Sequence, residues 1–233
     1  MSNTQHIGIV GCSAEGAALC YKTICTQAPK VLGEHAHPEV SMHTHSLARY
    51  VACLDAGDWA GVGELMLSSA RKLALQGADF LICPDNTIHQ AFGLIAEHLP
   101  LPWLHIAEVV ASQAQQRGHQ HPGILGTEWL VNSQVYPEQL EAKGLSWSRP
   151  AADQIQTMSD IIMQELVYGI INPQAVESLQ HTIVDLAEQG CDSVILGCTE
   201  LPLVLHAGNS PLPTLNSTRL LAEAAIQRAV GPQ

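Results

Sequence analysis

Short apolar runs alternate along the chain with longer segments whose apolar positions recur at helical spacing, and this alternation predicts parallel βαβ units. One helix is expected to start at Asp58 as N-cap, to carry Trp59, Val62, Leu65, Met66 and Leu73 on its inner face, and to stop at Gly77. A second is expected after Asn172, with Pro173 at its first position and Val176, Leu179, Ile183 and Leu186 inside, and to stop at Gly190. Each helix delivers the chain into a short buried strand. The fold class that follows is α/β, with parallel sheets flanked by helices.

The strand that follows each of these helices belongs to a duplicated segment. Gly77-Ala78-Asp79-Phe80-Leu81-Ile82-Cys83-Pro84-Asp85 parallels Gly190-Cys191-Asp192-Ser193-Val194-Ile195-Leu196-Gly197-Cys198. Ile7-Gly8-Ile9-Val10-Gly11-Cys12 and Pro122-Gly123-Ile124-Leu125-Gly126-Thr127 repeat at nearly the same offset. So long a period means duplicated domains, because solenoid repeats run to roughly 20–50 residues. We expect an N-terminal domain over residues 1–112 plus 215–233 and a second over residues 113–214, two Rossmann-like halves related by a pseudo-twofold with the site between them.

Open parallel sheets bind ligands outside the carboxyl ends of their strands, so the residues just past each strand are the candidates. These are Gly11 to Ser13, Asp85 to Thr87, Thr127, and Cys198 to Glu200. Asp85 and Cys198 stand at the same distance from their respective glycines, which suggests a matched pair of proton-handling groups.

Composition narrows the partners. The chain has 233 residues, 46% of them apolar, enough for one large core or two modest ones. A net charge of −12 with ten Lys and Arg argues against nucleic acid or an anionic membrane. No apolar run is as long as a membrane span, and Met1-Ser2-Asn3-Thr4-Gln5-His6 carries no signal-peptide pattern, so a cytoplasmic location is expected. Seven cysteines without a CxxC pair fit free thiols in a reducing compartment rather than a disulfide framework or structural zinc. His35, His37, His43 and His45 alternate in one region, but without an acidic or thiol ligand at diagnostic spacing they read as no metal site. Cys83, two residues before Asp85, reads as packing, and His89 as a capping or packing residue.

Gly197-Cys198-Thr199-Glu200-Leu201-Pro202-Leu203 closely resembles the second signature of the aspartate/glutamate racemase superfamily, and Asn86-Thr87-Ile88-His89 resembles its first, Cys-Asn-Thr-x-His. Glu165-Leu166-Val167-Tyr168-Gly169 and Thr214-Leu215-Asn216-Ser217-Thr218-Arg219-Leu220 resemble two further segments, so the likeness covers nearly the whole chain. It implies an amino-acid racemase that needs no cofactor, is a homodimer, and uses two opposed cysteines, one removing the α-proton of an acidic amino acid and the other returning a proton to the opposite face. It also implies that Asn86, Thr87, Thr199, Thr127 and Ser13 contact a small carboxylate or amino-acid substrate, with Glu200 orienting the thiol's surroundings.

Three departures qualify this resemblance. Asp85 stands where the first catalytic cysteine belongs. Reference pKa values near 3.9 for aspartate and 8.5 for a thiol correspond to roughly 6 kcal/mol less driving force for proton abstraction. Tyr168 replaces a lysine, and His43 aligns with an arginine, so the two cations that read a substrate's side-chain carboxylate are missing and aspartate is a doubtful substrate. Gly11-Cys12-Ser13 matches the N-terminal turn only loosely. The expected enzyme is a racemase using Cys198 and Asp85; the alternatives are one-sided carbanion chemistry, such as a decarboxylase or a cis-trans isomerase of a dicarboxylate, and a non-catalytic carboxylate binder.

Overall fold

The computed structural model describes residues 4–231, which divide into two compact units, residues 4–106 with 218–231, and Ala107–Ser217. In chain order the first unit holds β1 (Ile7–Gly11), α1 (Ala14–Gln27), α2 (Pro29–Leu32), β2 (Val40–Thr44), α3 (Leu47–Asp55), α4 (Trp59–Leu75), β3 (Phe80–Ile82), α5 (Phe92–Ile95) and β4 (Trp103–Leu104). Its sheet runs β2-β1-β3-β4, all parallel, with Ile9 level with both Met42 and Ile82.

Helix α4 forms where the apolar spacing predicts. The Asp58 side chain accepts from Gly61 N–H at 2.8 Å and caps it. Val62, Leu65, Met66 and Leu73 are buried with Val10, Leu81 and Ile88, so the helix covers the β1–β3 seam. Gly77 then takes φ +87°, a left-handed conformation that suits glycine and releases the chain toward β3.

The second unit begins within α6 (Ile106–Gln116) and continues through β5 (Pro122–Leu125), α7 (Glu128–Val131), α8 (Val135–Ala142), α9 (Ala152–Gln164), α10 (Pro173–Glu188), β6 (Ser193–Leu196) and β7 (Thr214–Asn216). The sheet order is β5-β6-β7, again parallel. An isolated parallel bridge from Gly123 to Ser148 lies beside β5, where β2 lies beside β1 in the first unit. Helix α10 is capped by the Asn172 side chain, starts with Pro173, and gives way to Gly190 at φ +92°. The chain returns to the first unit through α11 (Ser217–Val230). Each unit is thus a parallel sheet flanked by helices, as the alternation predicts.

Candidate active site

In the first unit β1 and β3 are adjacent and parallel, so their carboxyl ends lie side by side. The turn after β1 presents Cys12 N–H and Ser13 N–H; the turn after β3 presents the Asp85 side chain. Cys12 N–H donates to Asp85 Oδ2 and Ser13 N–H to Oδ1, each at 3.0 Å. Ser13 is also the N-cap of α1, its hydroxyl accepting from Gly16 N–H at 3.2 Å. A carboxylate held on both oxygens by backbone donors at a helix start is well matched to that positive end.

The backbone of Asp85 is held as firmly as its side chain. Its carbonyl accepts from His89 Nδ1 at 2.8 Å and from the Cys83 thiol at 3.7 Å. Burial, and then the nearby Asp85 charge, push the Cys83 pKa well above the ordinary thiol range, so it stays a thiol and serves packing. Asn86 is buried, and Thr87 opens the 3₁₀ turn Thr87–Ala91 that carries His89.

In the second unit Cys198 follows β6, next to Thr127 beyond the end of the neighbouring β5. Gly197 allows the turn: a Cβ there would lie 2.7 Å from the Leu125 carbonyl oxygen and 2.5 Å from a Leu130 methyl group. The Cys198 thiol donates to Glu200 Oε2 at 2.9 Å, and the Thr199 hydroxyl donates to the same oxygen at 2.6 Å. Glu200 is only 4% exposed and Thr199 5%, so a half-buried thiol and a buried hydroxyl share one buried carboxylate oxygen. Ser217 fastens the adjacent strand end, its hydroxyl donating to the Leu196 carbonyl at 2.8 Å.

Within each unit the structure therefore joins most of the residues singled out from sequence: Ser13 to Asp85, with Asn86 and Thr87 following, and Cys198 to Thr199 and Glu200, with Thr127 at the next strand end. Two stand apart. The His43 ring turns toward α4, its Nδ1 at 2.9 Å from Ser69 Oγ and its Nε2 at 2.9 Å from Lys72 Nζ. Lys72 can only donate, so Nε2 accepts and Nδ1–H donates to Ser69. Tyr168, in the 3₁₀ turn Leu166–Tyr168, is 74% exposed.

The histidines of the β2 region are engaged in the same way. His45 pairs with Ser68 and Arg49, His37 with the Pro38 carbonyl, and His35 with Glu34 at the surface. Among the described residues no group of three or more His, Cys, Asp or Glu is placed to hold a metal ion. No helix among them is long and apolar enough to cross a membrane.

Sequence reasoning missed the Cys12 and Ser13 N–H clamp and the role of Ser217. The clamp depends on strand pairing, which no local pattern shows. The signal for Ser217 was its place in the Thr214-to-Leu220 segment that carries part of the family resemblance.

A central strand of the first parallel α/β unit is thus followed by a clamped carboxylate, and the matching strand of the second by a thiol bonded to a carboxylate. The sequence profile of the Asp/Glu/Hydantoin racemase family matches residues 7–225, and the chain belongs to that family. The broad specificity amino-acid racemase RacX of Bacillus subtilis (strain 168) is 29% identical over 170 residues, covering 70% of each chain. A candidate Asp/Glu racemase from Yersinia pestis has the same fold, with a TM-score of 0.89 and 28% identity over 97% of this chain and 100% of that one. The crystal structure of an aspartate racemase homologue from Pyrococcus horikoshii OT3 gives 0.84 and 26%, with the same coverage. The resemblance seen in the sequence motifs is thereby established as membership, and the chain is an isomerase of the racemase type.

Proposed function

We propose that the protein is a cofactor-independent amino-acid racemase in which Asp85 and Cys198 handle the α-proton on opposite faces of one substrate. The observation that carries this reading is the hydrogen bond from the half-buried Cys198 thiol to the buried Glu200 carboxylate at a strand end, because simple carboxylate binding needs no thiol aimed at a buried acceptor. In one direction the Asp85 carboxylate removes the α-proton, and the Cys198 thiol protonates the planar intermediate from the other side. The reverse direction starts from the state this leaves, the Cys198 thiolate removing the α-proton and the protonated Asp85 delivering one; Glu200 takes the thiol proton where that state is formed from a resting thiol. Solvent restores the starting protonation after each turnover.

Asn86, Thr87, Thr199, Thr127 and Ser13 are the groups we assign to the substrate's carboxylate and ammonium. His43 and Tyr168, which align with cationic positions, bring no fixed positive charge, and His43 is engaged by Ser69 and Lys72. Burial, followed by the Lys72 charge, lowers the His43 pKa and keeps it neutral. Amino acids with uncharged side chains are therefore the substrates we favour over aspartate. The broad-specificity name of the Bacillus subtilis relative is in keeping with this choice.

One observation favours a second reading. Both Asp85 oxygens accept backbone N–H groups, which holds the group as an acceptor and hinders its use as an acid. One-sided chemistry at Cys198 would then dominate. The test is incubation with a panel of L- and D-amino acids and dicarboxylates, followed by chiral chromatography, with Cys198→Ala as control. Inversion of any amino acid that is lost in the control supports the racemase; binding without inversion points to one-sided chemistry or a binding role.

A further inference from the structure

We infer that His89 is a positioning residue for proton transfer at Asp85: its ring pins the Asp85 backbone carbonyl and so sets the aim of the carboxylate. This inference rests on the racemase reading above. It starts from the two ends of the His89 ring. Nδ1 lies 2.8 Å from the Asp85 carbonyl oxygen, and Nε2 lies 3.4 Å from Trp103 Nε1.

An indole N–H can only donate and a carbonyl can only accept, so the neighbours select one form of the ring. Nε2 must carry the lone pair and Nδ1 the hydrogen. A protonated ring would turn a second N–H against the indole N–H. The environment agrees: His89 is 3% exposed, with His105 edge-on at 4.5 Å, and burial followed by His105 lowers its pKa well below the ordinary value. Phe92 and Trp103 complete the packing around it.

This arrangement excludes a proton-shuttle role, since neither ring nitrogen is offered to a reacting atom. It suits a brace. The Asp85 side chain is fixed by Cys12 and Ser13 N–H, and its main chain by His89 and the Cys83 thiol, so the residue is gripped at both ends. Catalytic groups need placement to within about 0.5 Å, and an error near 1 Å lowers rates by about 100-fold.

The test separates inversion from hydrogen exchange on one face. His89→Phe keeps a ring of similar volume but loses the donor; His89→Asn places an amide N–H close to the Nδ1 position. Both are compared with the unmodified protein in D2O, using NMR for α-deuteration of each enantiomer and chiral chromatography for inversion, with circular dichroism and thermal melting as fold controls. His89→Phe should invert about 10- to 100-fold more slowly with KM changed less than about twofold. It should still deuterate, without inversion, the enantiomer that faces Cys198, and His89→Asn should recover inversion to within about threefold of the original. A merely structural role would lower exchange and inversion together and give no rescue, and that result overturns the inference while leaving the racemase reading intact. If the unmodified protein neither exchanges nor inverts any amino acid, the racemase reading fails and this inference with it. Nitrogen-15 NMR of the histidines is an independent check, since a His89 protonated at Nε2 near neutral pH would also overturn it.

Discussion

The two units share a scaffold down to individual hydrogen bonds and differ in the residues that follow their strands. In the first, His6 N–H donates to the Asp79 carboxylate at 2.6 Å, Asp79 N–H donates to the His6 carbonyl, and His6 Nε2 meets Ser41 Oγ at 2.9 Å. In the second, His121 N–H donates to the Asp192 carboxylate at 3.2 Å, Asp192 N–H donates to the His121 carbonyl, and His121 Nε2 meets Ser148 Oγ at 2.8 Å. Gly77 and Gly190 hold matching left-handed turns before these aspartates. At the far end of the same strands the likeness stops. The first unit ends in a carboxylate that accepts from backbone N–H groups, the second in a thiol that donates to a carboxylate. Duplication has kept the framework that orders the strands and let the chemistry at their ends diverge.

If the two ends are unlike partners in one reaction, removing the thiol should have the largest effect. Cys198→Ala is expected to lower inversion at least about 1,000-fold by chiral chromatography. Its folding stability should change by no more than about 1 kcal/mol in urea denaturation. Asp85→Asn should lower inversion about 100-fold and, unlike the thiol variant, also destabilise the first unit. An amide has one acceptor oxygen for two N–H donors, so a loss of about 1–3 kcal/mol is expected. If Asp85→Asn and Cys198→Ala have equal effects on stability, the contrast between a carboxylate that accepts from backbone N–H groups and a thiol that donates to a carboxylate is wrong.

Glu200→Gln probes the carboxylate that accepts from the thiol in the second unit. It should reduce kcat by about 10- to 100-fold with KM within about twofold, because the amide still accepts from Thr199 but cannot take the thiol proton. Smaller effects test the shared scaffold. Asp79→Ala and Asp192→Ala should each lower stability by about 1–3 kcal/mol, and by similar amounts, since each removes the partner of the equivalent histidine N–H.

The smallest effect is a pH dependence peculiar to the first unit. Burial depresses the His105 pKa from 6.5 to about 4, so in that window the unfolded chain holds a proton that the folded one lacks. Stability contributed by the neutral ring is complete above about pH 6.5, falls as the pH drops, and has been lost by about pH 4. Between pH 6.5 and 5.5 the His105 share of the loss should be about 1 kcal/mol, read in urea titrations as the difference from His105→Phe.

What could be read from the sequence followed the range of the contacts. Asp58 to Gly77 and Asn172 to Gly190 were legible because caps, apolar spacing and glycine stops are local signals. The Cys198-Thr199-Glu200 cluster was legible for the same reason, its hydrogen bonds joining residues one and two apart. The Asp85 clamp was not, because Cys12 and Ser13 reach it only through the pairing of β1 with β3. The His89 brace was hidden likewise, since Trp103 is brought to it by the β3–β4 pair. His43 shows the limit of alignment: its position along the chain matches a binding residue, yet its side of β2 directs it toward Ser69 and Lys72 of α4.

The central claim is that a carboxylate and a thiol work on the two faces of one α-carbon. The most direct measurement is to follow each enantiomer of an amino acid in D2O, recording α-deuteration by NMR and inversion by chiral chromatography on the same samples. Two working faces predict that deuterium enters mainly the inverted product at early times, from either starting enantiomer. Deuterium entering only one enantiomer, with its configuration retained, would contradict the claim and leave Cys198 as the single working group.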